Sequence, residues 1–187
     1  LIDHCVGQIL DALHSRPDAA ETLVVFCSDH GEHAGDMRRW QKHTAYEPSW
    51  RVPLIMAGPG IDNASESGAL VELSDLNPTL TELCGLPAQS GLDARSFAAC
   101  ALGQATEHRD HVVTTERDFG RASYRAIRTK TDKLIHTDND CVEYYDLQTD
   151  PLENTSRAEE NPERVGQLWR EMDARFREHL WMRHHPV

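Results

Sequence analysis

The chain has 187 residues, of which 39% are apolar and 27% charged, enough to bury a core and too apolar for a disordered acidic tail. No stretch approaches the roughly 18–20 uninterrupted apolar residues of a membrane-spanning helix. Nineteen Lys and Arg face 31 Asp and Glu, a formal charge of −12, which argues against nucleic acid or an anionic membrane as main partner; an anionic substrate needs a local Lys, Arg or metal to reverse the field.

Ile2, Cys5, Val6, Ile9, Leu10 and Leu13 recur at three-to-four spacing, so residues 1–14 read as an amphipathic helix broken by Arg16-Pro17-Asp18. Thr22 to Cys27 is a continuous apolar, β-branched run too short for a helix, and Val52 to Ala57, closed by Gly58-Pro59-Gly60, is a second. Such runs predict strands covered on both faces, as in a parallel sheet, and a helix followed by two of them suggests an α/β layer architecture. Between them lies a polar stretch, Asp29 to Trp50, that starts at a strand's carboxyl end, where open α/β sheets place ligands.

Leu70 to Leu73 reads as a short strand, and Ser74 to Pro78 opens a helix ending near Gly85; residues 87–110, small and polar, read as a junction. From His111 the period changes to two. Residues 112–115, 123–128, 133–136 and 142–147 are four short strands separated by turns, an antiparallel meander. The last element has Asn161 as N-cap and Pro162 at the first helical position, with Val165, Leu168, Trp169, Met172, Phe176 and Leu180 as a stripe packed on that sheet. Five scattered cysteines with no C-x-x-C pair read as small buried thiols, neither a zinc ribbon nor a disulfide scaffold.

The chemistry concentrates in the polar stretch. Asp29 and His30 offer an oxygen and a nitrogen donor that suit a divalent cation, although such pairs more often cap the turn. Lys42 is either solvated or positioned to neutralise the oxygens of a sulfuryl or phosphoryl group. His30 and His33 form H-x-x-H, a weak zinc signal here. Arg51 is expected to pair with Glu47.

These residues resemble one family. Ser28-Asp29-His30-Gly31-Glu32, Gly35-Asp36, Lys42, Tyr46 to Ile55 and Gly58-Pro59-Gly60 are similar to the second block of the sulfatase family, in the alkaline-phosphatase-like superfamily. The likeness continues, in order, through Val71 to Leu80, Cys84 to Pro87, Ile127 to Thr129, Lys133 to Ile135 and Glu143 to Glu153, and includes Ile2 to Leu13. It implies an α/β fold: the carboxyl-terminal part of an alkaline-phosphatase-like mixed sheet with flanking helices (1–105), followed by a small four-stranded antiparallel sheet packed by a C-terminal helix (106–187).

It also implies Asp29 and His30 as two ligands of one divalent cation, Ca²⁺ first, with Mn²⁺ or Zn²⁺ as alternatives. Lys42 would be catalytic and bind the sulfate or phosphate oxygens, with His43 beside it on the substrate. Met37 stands where the family commonly has histidine. The Cys-x-Pro-x-Arg or Ser-x-Pro-x-Arg segment whose first residue becomes formylglycine is not found in the 187 residues. The expectation is therefore a fragment that begins at Leu1, is inactive alone and is poorly soluble, with formylglycine in an upstream segment. The implied substrate is a small-molecule or glycan sulfate ester. A phosphonate monoester or phosphodiester hydrolase is the alternative within the superfamily, and a non-catalytic truncated module the alternative outside it.

Overall fold

The computed structural model describes residues 1–61, 65–116 and 123–178. It is a mixed α/β structure with two sheets and a C-terminal helix. Helix α1 (Ile2–His14) leads to β1 (Val24–Cys27); a long excursion containing the single-turn helix α2 (Glu47–Trp50) then returns to β2 (Leu54–Ala57). Helices α3 (Leu76–Leu83) and α4 (Ala98–Ala101) precede strands β3 (Val112–Glu116), β4 (Tyr124–Arg128), β5 (Asp132–Thr137) and β6 (Val142–Asp146), and α5 (Pro162–Glu178) closes the described chain.

The expected meander is present: β3 to β6 pair antiparallel in chain order. Its two faces have different partners, as alternation along pleated strands requires. Ile127, Leu134 and Tyr144 face Leu168, Met172 and Phe176 of α5. Their neighbours Ala126, Ile135 and Tyr145 face Ala45, Tyr46 and Trp50, the excursion that precedes β2. Burying a side chain of Leu or Phe size contributes about 1.5–3 kcal/mol, so the sheet holds the terminal helix and the polar loop with comparable cores. Asn161 occupies the expected cap position, its carbonyl accepting the Val165 N–H at 3.0 Å; Leu180 lies outside the described residues.

Several expectations are corrected. β1 and β2 pair antiparallel, with Phe26 opposite Ile55, and these two side chains are 39% and 61% exposed, not covered. A continuous apolar run reports that both faces of a strand are oily, not which way its neighbour runs. Leu70 makes only a single bridge to Arg109. The chain then turns at Leu73–Asp75, because Glu72 and Asp75 form a reciprocal capping box that starts the helix early. The 87–110 junction contains α4, with Phe97 and Ala98 buried; the run Phe97 to Leu102 carried that signal. The cysteines are not buried: Cys5, Cys27, Cys84 and Cys141 are exposed and Cys100 is intermediate. Cys27 and Cys5 sit on the bare face of β1 and on α1, a helix with no buried residue.

Candidate active site

The excursion after β1 begins with a tightly wired turn. Ser28 Oγ donates to the His30 carbonyl at 2.7 Å, and the His30 N–H donates to Asp29 Oδ1 at 3.0 Å. His30 Nδ1–H donates to the Gly31 carbonyl at 2.7 Å. A carbonyl partner requires the proton on Nδ1, which leaves Nε2, 3.3 Å from Asp29 Oδ2, as the ring nitrogen that can offer a lone pair. At that separation an imidazole nitrogen and a carboxylate oxygen can share a proton or a metal ion. Fixing one imidazole nitrogen on a backbone carbonyl is the arrangement of a metal-ligating histidine, so this donor set fits a divalent ion.

Gly31 anchors the turn. Its N–H donates to the Ser49 carbonyl at 2.8 Å, and a Cβ here would fall 2.0 Å from the Pro48 carbonyl oxygen; only glycine permits that approach. The Asp29–His30 turn is therefore bolted to α2. Helix α2 is in turn held by the meander. Lys133, fully buried on the loop-facing side of β5, lies 2.7 Å from Glu47 Oε1 and 2.6 Å from Glu153 Oε1, and donates to the Ala45 carbonyl at 2.9 Å. Arg128, its cross-strand partner, donates to Glu47 at 3.0 Å. Burial pushes the Glu47 carboxyl up, but Lys133 and Arg128 more than offset this and hold it below the usual range. For Glu153 burial wins, and its carboxyl is raised. Glu47 is thus occupied by Lys133 and Arg128, and the expected pairing with Arg51, which is exposed, does not form.

The loop then doubles back on itself. Glu32 Oε1 accepts the Gln41 N–H at 2.5 Å, and the His33 N–H donates to the Gln41 carbonyl at 3.0 Å. Closing it puts Ala34, Met37, Arg38, Gln41 and His43 at positive φ, where residues other than glycine are uncommon and each costs about 1–3 kcal/mol. Backbone strain of this density is typical of functional loops. His33 is buried at 1% exposure, with Nε2 paired to Thr44 Oγ1 at 2.8 Å and its ring edge-on to Tyr46. The H-x-x-H zinc reading is therefore corrected: His33 is a core histidine, and burial pushes its pKa down.

Asp29, His30, Lys42 and His43 line one cleft, together with Glu116 from the end of β3 and Tyr124 from β4. Lys42 is half-buried, with no hydrogen bond or ion pair to any described residue. His43 Nδ1–H donates to Glu116 Oε1 across 73 residues of sequence. Glu116, Gly31 and Lys133 were not singled out from the sequence; a lone Glu at a strand end carries no local signal. Among the described residues no group of three or more His, Cys, Asp and Glu is placed to hold a metal ion, so Asp29 and His30 stand as two donors.

The sulfatase family model matches residues 1–86. A sulfatase of Formosa agariphila is 31% identical over 152 residues, covering 81% of this chain and 29% of that protein. A solved structure described as a complex with its substrate D-glucosamine-2-N,6-O-disulfate superposes with a TM-score of 0.86 at 25% identity, covering 92% of this chain and 37% of the other. The phosphonate monoester hydrolase of Agrobacterium radiobacter superposes with a TM-score of 0.82, also at 25% identity, over 96% of this chain and 40% of its own. The chain spans about a third of the length of the curated relatives it matches.

Proposed function

The chain belongs to the sulfatase family, and from that premise we propose that the complete protein hydrolyses sulfate esters with a divalent cation held in part by Asp29 and His30. The observation that carries this reading is the convergence of Asp29 Oδ2 and His30 Nε2 at 3.3 Å, in the cleft that also takes Lys42. A cation held there by Asp29 and His30 would supply positive charge to the sulfuryl oxygens and lower the pKa of an attacking oxygen. The chain's own residues do the rest. Lys42 offers its ammonium to the oxyanion as charge shifts in the transition state, Gly31 and Ser49 fix the ligand turn, and His43 stands on the substrate side. The nucleophile, which the family resemblance identifies as formylglycine, is supplied by residues outside this chain. The substrate class follows the names of its relatives, a small-molecule or glycan sulfate ester.

The test is hydrolysis by the complete protein after removal of divalent ions. We expect 4-nitrophenyl sulfate turnover to return on adding Ca²⁺, Mn²⁺ or Zn²⁺, and Asp29→Ala to lower it at least about 1,000-fold with an unchanged thermal midpoint. Full activity of the variant, or no ester hydrolysis at any cation concentration, refutes the assignment.

One observation favours a second reading. His30 supplies a nitrogen donor, which suits Mn²⁺ or Zn²⁺ better than Ca²⁺, and the Agrobacterium phosphonate monoester hydrolase shares the fold. Preference for a phosphonate monoester over the matched sulfate, measured as kcat/KM, would select it.

A further inference from the structure

Lys42 is flanked by left-handed backbone on both sides, Gln41 at φ 68° and His43 at φ 76°. Such residues persist only where their surroundings over-determine the conformation. Here one residue supplies much of that constraint. The His33 N–H donates to the Gln41 carbonyl at 3.0 Å, and His33 Nε2 is paired with Thr44 Oγ1 at 2.8 Å. His33 thus holds the residue before Lys42 by its backbone and the residue after His43 by its ring. Its own place is fixed by burial and by Tyr46, whose ring meets it edge-on at 6.2 Å between centroids. Tyr46 is in turn tied to the meander, its hydroxyl donating to Glu143 Oε2 at 2.7 Å. Thr44 lines the same cleft as Lys42, and Ala45 after it is buried against the meander.

Glu116 fixes the His43 side chain from β3, whereas the Lys42 ammonium has no partner among the described residues. A lysine is a point charge on a flexible four-carbon stem, so the backbone at its root decides where that charge can reach. From this geometry we propose that His33 and Thr44 are positioning residues for Lys42: the buried imidazole staples segment 41–44 and sets where the ammonium meets the oxyanion. The inference rests on the sulfate ester reading above and deepens it. The contribution is geometric, since displacing a group that faces the transition state by near 1 Å costs about 100-fold. The Asp29–His30 turn is held separately, by the Gly31 N–H on the Ser49 carbonyl, so loosening the staple leaves the metal ligands in place.

The test is a double-mutant cycle in the complete protein, read on 4-nitrophenyl sulfate. Thr44→Val deletes the hydroxyl and keeps the branched shape, whereas Thr44→Ser keeps the hydroxyl. We expect Thr44→Val to lower kcat about 10- to 100-fold, with KM and the half-maximal divalent-cation concentration within about twofold. Thr44→Ser should restore most of that loss. In a Lys42→Ala background Thr44→Val should cost under about twofold more, because the group it positions is gone. An equal loss with and without Lys42 overturns the inference and leaves the sulfatase reading intact. So does an undiminished Thr44→Val, a shifted cation titration, or a Thr44→Ser as impaired as Thr44→Val. A wild-type protein that hydrolyses no sulfate ester removes that reading, and the staple with it. Should Thr44→Val not fold, the same cycle with His33→Leu decides. Nδ1 of His33 has no hydrogen-bond partner among the described residues, so that change breaks only the ring contact with Thr44.

Discussion

Lys133 Nζ lies 2.6 Å from Glu153 Oε1 with both side chains sealed from water, and the same ammonium reaches Glu47, 86 positions earlier, at 2.7 Å. This is the joint between sheet and site: Glu47 begins α2, Ser49 of α2 receives the Gly31 N–H, and Gly31 follows the Asp29–His30 pair.

Removing the cation from that joint leaves Glu153 without a counter-charge and Glu47 with Arg128 alone. Lys133→Met is expected to destabilise the protein by about 3–5 kcal/mol, the cost of breaking a buried ion pair from one side. Adding Glu153→Gln to it should recover part of that loss, because one unpaired charge is neutralised. Thermal or urea unfolding of wild type, single and double variants checks both; a double variant as unstable as the sum of its parts refutes the coupling.

How much of this was legible beforehand divides along one physical line. The meander and its helix were readable because period-two alternation and the stripe Val165 to Phe176 are local patterns repeated several times. Asp29, His30 and Lys42 drew notice because a polar block after an apolar strand is local too, and the family resemblance supplied the roles expected of them. Lys133 was not: in sequence it is a lysine before an apolar pair, and only the register that sets it against Arg128 and over Trp50 shows its role. The antiparallel direction of β1 against β2 was equally hidden, since residue composition records burial and not strand direction. Glu116 belongs to the same class of long-range contacts.

Gly31 tests how tightly the ligand turn must be held. Gly31→Ala puts a methyl into the space of the Pro48 carbonyl, 2.0 Å away, so either α2 or the Asp29–His30 turn must move. Displacements near 1 Å cost about 100-fold in catalysis. We expect a loss of that size, accompanied by a higher divalent-cation concentration for half-maximal activity. Cation titrations of the variant and wild type measure it; an unshifted titration shows that the turn does not carry the ion.

Asp132 makes stability depend on pH. Burial pushes its carboxyl up, but hydrogen bonds from Arg164, Tyr144 and Thr131 prevail and bring its pKa down to about 2. A carboxyl whose folded pKa is depressed stabilises the fold above its unfolded value, near 3.9, and that contribution disappears as pH falls through 2. Its size is on the order of 1–2 kcal/mol after allowing for solvent screening. Asp132→Asn should therefore flatten the decline in stability between about pH 4 and pH 2, relative to wild type. Unfolding midpoints at several pH values check this, and parallel curves for the two proteins would assign the acid sensitivity to other groups.

Lys42 gives the sharpest separation of stability from activity. It is half-buried with no partner among the described residues, so its removal breaks no ion pair there and should leave the thermal midpoint within about 1 °C. An ammonium aimed at developing negative charge is a different matter, since losing one such group costs about 100- to 1,000-fold in kcat. Lys42→Ala should show that loss. Lys42→Arg should rescue it only in part, because the guanidinium is a planar fork and not a compact point charge. Parallel measurement of melting and steady-state kinetics decides the matter. A Lys42→Ala protein that melts like wild type and turns over like wild type would leave the lysine as solvated surface, with no part in meeting the oxyanion.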